Sequence, residues 1–271
     1  RLFIQEGDLT PERLASTDSW TMRAPEGVTQ AIGRRLDRLS ERVNSVLTTA
    51  AVIGRQFTLS QLESIEDELS EDRLLDVLDE ALAARVIEEL PDEIGRYQFT
   101  HALIQQTLSD ELSAARVVRL HARIAEALER LYGHAAKDQA SELAHHFTEA
   151  EPVLGTEKIL LYSKLAGFRS LNNYAYEDAL AHFEQAIRLL GSGDGSDLRA
   201  DMLEGMGLCQ LAIGQTQAAA DAFRTTFKLF EQSGEINRAL RVARHPNPVY
   251  GDPEEAEMLM SAVKIAPAKS P

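Results

Sequence analysis

His101, the adjacent pair His145 and His146, the arginines Arg34, Arg35, Arg38 and Arg42, and Cys209 are the side chains here whose types could do chemistry. An imidazole can give a hydrogen bond to a phosphate or shuttle a proton. Arginines four apart on a helix present their forks on one face, a geometry suited to carboxylate or phosphate. Arg34, Arg38 and Arg42 have that spacing. They fit a solvated face paired with Asp37 and Glu41; the sharper alternative is a surface that docks a neighbouring domain or a phosphate. Adjacent histidines on a helix point about 100° apart, and no cysteine or third histidine sits at ligand spacing, so a structural or surface role is expected and no metal. Cys209 lies in an apolar helical run and reads as a small buried hydrophobe. The carboxylate pairs Asp79-Glu80 and Glu88-Glu89 fall in no readable pocket. No G-x-x-x-x-G-K-[ST], G-x-S-x-G, H-E-x-x-H or C-x-x-C motif occurs, so a non-catalytic chain is expected, with no cofactor of its own.

The elements that must position these groups are mostly helical. His101 ends the run Arg96-Tyr-Gln-Phe-Thr-His101, in which Tyr97, Phe99 and His101 alternate with polar residues, the period of a strand with one buried face. Arg85-Val-Ile-Glu-Glu-Leu90 precedes it, and Pro91-Asp-Glu-Ile-Gly95 between them is turn chemistry. Beyond His101 the spacing of Leu103, Ile104 and Leu108 becomes helical. The pattern predicts a β-hairpin whose second strand runs into a helix, with His101 at the junction; nothing else reads convincingly as sheet. His101 is then either free to touch a ligand or a satisfied core residue at the hairpin's base. A hairpin alone is marginal and needs helices to cover it. The helices expected at 27–51 and 70–84 supply that cover and make a winged-helix module.

Composition bounds the partners. The net charge of −15 and 44% hydrophobic content favour packed domains and oppose nucleic acid and anionic lipid. The helix from Glu71 to Ala84, where a winged helix reads DNA, exposes Glu71, Asp72, Asp76, Asp79 and Glu80 against Arg73 alone. A single cysteine fits a reducing compartment, so the cytoplasm is expected. No apolar run approaches the ~20 residues that span a bilayer. The chain lacks an initial Met and begins in mid-pattern, as a piece of something larger does.

After the hairpin come helices expected at 114–131 and 138–150, the first with Val117, Val118, Leu120, Ile124, Ala127, Leu128 and Leu131 inward and a basic edge of Arg116, Arg119 and Arg123. A repeat follows. Gly167, Ala179, Phe183 and Ala186 stand at tetratricopeptide spacing, and Gly207, Ala219 and Phe223 recur forty residues later. The usual period is about 34. The run Gly191-Ser-Gly-Asp-Gly-Ser196 accounts for the excess as an insertion. Arg238–Ala243 begins a third unit, interrupted by His245-Pro-Asn-Pro248 and Gly251-Asp-Pro253. The expected fold is therefore mostly α: a winged-helix module with a small β-hairpin, followed by an α-solenoid of tetratricopeptide-like helix pairs. Its divisions are 1–24, the end of a preceding region; 25–113, the winged helix; 114–152, connecting helices; and 153–271, a truncated repeat array.

Several stretches resemble the segment that follows the ATPase core in bacterial STAND NTPases. They are Pro25-Glu-Gly-Val-Thr-Gln-Ala-Ile-Gly-Arg-Arg-Leu-Asp-Arg-Leu-Ser40, Ala50-Ala-Val-Ile-Gly-Arg-Gln-Phe57, Phe99-Thr-His-Ala-Leu103 and Glu142-Leu-Ala-His-His-Phe147. No one of them is diagnostic; their order carries the likeness, which runs from about Pro25 to Ala243. The resemblance is to large LuxR-type regulators and nucleotide-cyclase-linked ATPases with tetratricopeptide tails. It implies a nucleotide-binding domain upstream that holds ATP or ADP and Mg, a winged helix that clamps the ADP form, and repeats that take up a protein or small-molecule inducer. It also implies that the junction histidine of a Met-His-Asp motif touches the β-phosphate. Here that triplet is Thr100-His101-Ala102, which keeps the histidine and lacks the acidic partner. Arg34 and Arg38 would face the upstream domain. A free-standing repeat adaptor and a DNA-binding winged-helix protein are the alternatives.

Overall fold

The computed structural model describes residues 32–91, 93–191, 196–245 and 253–266. The expectations placed on 1–24, on the helix start at Pro25-Glu26-Gly27, on most of the 191–196 insertion, on most of the interruption between 245 and 253, and on the end of the chain lie outside the described residues.

Residues 32–36 are helical (α1) and α2 follows at Glu41–Ile53. The apolar stripe expected of one helix is intact, since Ile32, Leu36, Leu39, Val43, Val46 and Leu47 are all buried. The helix itself is not continuous. Ser40 stops it by accepting the Val43 N–H with its hydroxyl, 3.3 Å away, while its own N–H goes to the Glu80 carboxylate at 2.9 Å. A serine that caps a new helix competes with helix continuation.

Gly54 ends α2, and Gln56–Thr58 forms a strand (β1) that the sequence reading did not assign. It is followed by α3 (Leu59–Ile65) and α4 (Glu71–Ala83), then β2 (Ile87–Glu89) and β3 (Arg96–Phe99). The expected hairpin forms, β2 antiparallel to β3. The third strand β1 pairs on β3's other side, giving the order β1-β3-β2. The inner face buries Phe57, Tyr97, Phe99 and Ile87, with Phe57 against Tyr97 and Phe99 at ring centroids of 5.9 and 5.6 Å. On the outer face Gln56, Gln98 and Glu88 form a hydrogen-bonded row across the strands. Three strands with one aromatic face are the minimum that stands on a helical layer.

Helix α5 (Ala102–Asp110) leads into α6 (Ala114–Tyr132), a 3-10 turn at Gly133–Gln139, α7 (Ala140–Glu149) and the short α8 (Glu151–Leu154). One buried cluster runs from Ile32 through Ala166. The expected divisions at 113/114 and 152/153 therefore lie inside a continuous core. Leu131, expected inward, is 42% exposed, because α6 ends one residue later and Gly133 turns the chain away. Gln61 of α3 donates to the Tyr132 hydroxyl (2.8 Å) and the Glu142 carboxylate (3.0 Å), and Tyr132 donates to Glu142 at 2.7 Å. This half-buried group fixes α3 to both α6 and α7.

From α6 onward the helices stack as antiparallel pairs. α7 packs on α9 (Glu157–Asn172), α9 on α10 (Tyr176–Leu189), α10 on α11 (Ser196–Ala212), and α11 on α12 (Thr216–Gln232), with α13 (Ile236–Val242) and α14 (Pro253–Ile265) beyond. The helices expected to connect the two modules are thus the first layer of the stack. The fold is mostly α, with a small antiparallel sheet and helical repeats.

The repeat glycines act by close approach. A Cβ on Gly167 or Gly205 would sit 2.6 Å from the Phe183 ring, and one on Gly207 2.6 Å from the Phe223 ring. Phe183 is fully buried and has nowhere to move. Gly167→Ala and Gly207→Ala should each destabilise the protein by about 1–2 kcal/mol, because overpacking outweighs the helix propensity gained. Gly33 has nothing within 4 Å of its would-be Cβ, so Gly33→Ala should instead stabilise by up to about 1 kcal/mol. Urea melts of the three variants give the opposite signs directly.

Candidate functional site

The strand–helix junction brings several expected groups to one corner. His101 is exposed and extended (φ −142°, ψ 136°), in the N-cap position of α5, and its side chain makes no capping hydrogen bond. The reading of His101 as a core residue at the hairpin's base is overturned. The alternation that buries Tyr97 and Phe99 ends with β3, and the chain turns into α5 before it can bury His101. Beside it Thr100 donates to the carbonyls of Arg85 (3.0 Å) and Val86 (3.2 Å), and Arg35 Nη1 reaches the same Arg85 carbonyl at 3.3 Å. Three separate segments therefore meet at Arg85: α1 with its downstream turn, the α4–β2 turn, and the β3–α5 junction. Arg85 itself holds φ 55°, a left-handed conformation uncommon for a non-glycine residue, and two donors bind its carbonyl.

Arg34 and Arg38 are exposed on the same segment as Arg35. At the corner, Arg35 and Thr100 meet on the Arg85 carbonyl, next to an exposed imidazole at an uncapped helix start whose N–H groups favour an anion. An imidazole beside free helix N–H groups can donate to an anion. The acidic residues of α4, from Glu71 to Glu80, are exposed as read from the sequence.

A second charged arrangement was not anticipated. The first helices of successive pairs are joined across the stack by ion pairs of alternating sign. Glu129 of α6 takes Lys158 (2.5 Å) and the Tyr162 hydroxyl (2.6 Å) of α9; Lys164 of α9 takes Asp201 of α11 at 2.5 Å; Arg238 of α13 takes Asp201 from the other side. Glu204 of α11 takes Arg241 at 2.7 Å and His245 at 3.1 Å. The pairs Lys164–Asp201, Asp201–Arg238 and Glu204–Arg241 are each separated by 37 residues, a signal present in the sequence and legible once the stack is known. Burial disfavours the Glu204 carboxylate, but the hydrogen bonds from His245 and Arg241 outweigh it and hold the carboxyl below its ordinary range.

Arg116, Arg119 and Arg123 line an open groove of about 640 Å³ between α2 and α6, opposite Glu41 and Glu66, with Arg123 bonded to the Ile65 carbonyl at 2.9 Å. His145 and His146 do not stand alone. His121 of α6, unremarked in the sequence, meets them, and its Nδ1 lies 2.9 Å from that of His146. Burial pushes His121 down to about 4 and His146 down to about 3, with neighbouring imidazoles adding to the shift, so both rings are neutral at pH 7. Cys209 is fully buried, as read, and burial pushes its thiol up to about 11, which leaves it inert.

No family model matches the chain, and no solved structure matches it. It is similar to the uncharacterized protein R02095 of Rhizobium meliloti (strain 1021), with 26% identity over 248 residues that cover 88% of this chain and 23% of that protein. The chain thus spans about a quarter of its relative's length. Among the described residues no helix is long and apolar enough to cross a membrane.

The ion pairs of the stack carry a pH signature. A carboxyl whose folded pKa is depressed stabilises the fold above its unfolded pKa, about 4.3 for Glu, and loses that contribution as pH falls through the lower folded value. Glu204→Gln should therefore cost about 1–3 kcal/mol at pH 7. The gap from wild type should close as the pH drops below about 4, measured by urea unfolding across the series.

Proposed function

We propose that this chain is the coupling segment of a longer cytoplasmic signalling ATPase of the STAND type. The sheet-bearing module acts as the winged helix that clamps an upstream nucleotide domain, and the tetratricopeptide-like repeats receive the inducer. ATP or ADP and Mg belong to that upstream domain. The output is transcriptional or through a cyclase.

The observation that carries this reading is the corner at His101: an exposed imidazole at an uncapped helix start, next to Thr100, which shares the Arg85 carbonyl with Arg35. Such a corner offers donors to a phosphate presented by a docked domain. Arg34 and Arg38 extend the same surface. The continuous core between this corner and the repeats supports mechanical coupling, since packed layers transmit strain. The Rhizobium protein, about four times as long as the aligned stretch, supports a segment embedded in a larger chain.

The coupling has a defined size. A charge-assisted hydrogen bond made in one state alone contributes about 1.5–3 kcal/mol, which shifts a two-state equilibrium about 10- to 150-fold. In the parent protein, His101→Ala should weaken ADP retention by that factor and raise basal output without inducer; unchanged ADP retention overturns the phosphate role. Calorimetry of the present chain alone should show no ATP or ADP binding at micromolar concentration. Binding there would place the nucleotide in the wrong part of the molecule. Retention of duplex DNA at moderate salt, abolished by charge reversal of Arg34, Arg35 and Arg38, would replace this reading with a DNA-binding one.

A further inference from the structure

Three imidazoles meet where α6 and α7 pack beside the end of α2. His121 (α6) and His146 (α7) are buried, and His145 (α7) is exposed at the rim. One ligand-capable atom from each lies within 4.8 Å of the others. The rings face one another at centroid distances of 5.1 to 5.5 Å. His145 and His146 do diverge as neighbours on a helix must. The third imidazole comes from a different helix and closes the triangle.

The proton count of the buried pair is informative. Each neutral imidazole carries one proton on one of two nitrogens. His121 Nδ1 and His146 Nδ1 are 2.9 Å apart, so at most one of the two carries its proton there. His146 Nε2 is buried with no hydrogen-bond partner, although the Ile53 backbone at the end of α2 acts on this ring. If Nδ1 of His146 bears the proton, Nε2 is a bare acceptor in an apolar site. If Nε2 bears it, Nδ1 presents a lone pair toward His121. The second arrangement leaves the His146 Nδ1 lone pair free for an ion.

We propose that His121, His145 and His146 form a binding site for a divalent late transition metal of the zinc class. The ligand set is imidazole only, which suits zinc, cobalt, nickel and copper and disfavours magnesium and calcium. With metal–nitrogen bonds of about 2.0–2.1 Å, tetrahedral ligands stand about 3.3 Å apart. The buried pair needs to open by only about 0.4 Å to reach that separation. His145 closes the set from the solvent side, and a fourth position is left for water at the rim. Glu149, one turn beyond His145 on α7, is the carboxylate whose charge reaches His121. An ion here ties α6 to α7 at the first layer of the helical stack, so its binding stiffens the joint between the sheet-bearing module and the repeats. The site stands independently of the proposed nucleotide coupling.

The test uses the whole chain, stripped with chelator and titrated with Co²⁺, then with Zn²⁺. One equivalent of cobalt should bind with the intense visible ligand-field bands of a four-coordinate site, and zinc should bleach them. Zinc at about 100 times its Kd should raise Tm by several degrees. His145→Ala replaces an exposed side chain, so the fold is retained; it should weaken cobalt binding at least tenfold. His121→Ala, checked for folding by circular dichroism, should abolish both the spectrum and the zinc-dependent Tm shift. No spectrum and no Tm shift in the folded wild type would overturn the site and leave a direct histidine–histidine hydrogen bond in its place. Metal binding unaffected by His145→Ala would overturn it as well, since the ion would then lie elsewhere.

Discussion

Helix α6 has to bury two sides at once, and the rest of the molecule is arranged by that requirement. Its apolar residues Ile124, Ala125, Ala127 and Leu128 are all at or near zero exposure. They are covered on one side by α2 and α3 and on the other by α7. Two of these four, Ala125 and Ala127, are small and let the neighbouring helices come close, so dispersion contacts accumulate on both flanks. The helix therefore cannot belong to one module. It packs on α2 and α3 of the sheet-bearing module and begins the stack of pairs, and one buried cluster continues from Ile32 to Ala166.

Polar contacts then fix the relative positions that burial leaves free. Hydrophobic burial is non-directional and tolerates sliding, whereas a buried donor or acceptor is satisfied in one geometry only. Gln61, Tyr132 and Glu142 set α3 against α6 and α7. Glu129 with Lys158 and Tyr162, and then the Lys164–Asp201–Arg238 and Glu204–Arg241 contacts, set each later layer against the one before it. Gln185 and Thr148 make the corresponding contact between second helices at 2.6 Å. Individually such pairs are worth little where exposed. Repeated from layer to layer they define the angle of the stack.

The His101 corner depends on the same rigidity. Its left-handed Arg85 persists because Arg35 and Thr100 both donate to its carbonyl from segments that are themselves packed. Among the described residues, α6 packs on α2 and α3 on one side and on α7 on the other.

The hairpin, the helix that follows it and the repeat glycines were legible in the sequence, because each depends on local chemistry: alternation in Tyr97 and Phe99, turn residues at Pro91 to Gly95, and a glycine sixteen residues before a phenylalanine. Other features were not legible. The strand Gln56–Thr58 is three residues long and has no periodicity of its own; its identity comes from its partner β3. The break at Ser40 depends on Glu80, forty residues away. The histidine triangle depends on which face of α6 meets α7, and sequence spacing between residues 121 and 146 says nothing about that. The amino-acid order by itself determined most of the helices, the hairpin and the spacing of the repeat, since nearest-neighbour sterics and helical periods act within a few residues. Tertiary structure alone decided which side chains share a site, because that is set by packing between faces whose residues are far apart in the chain.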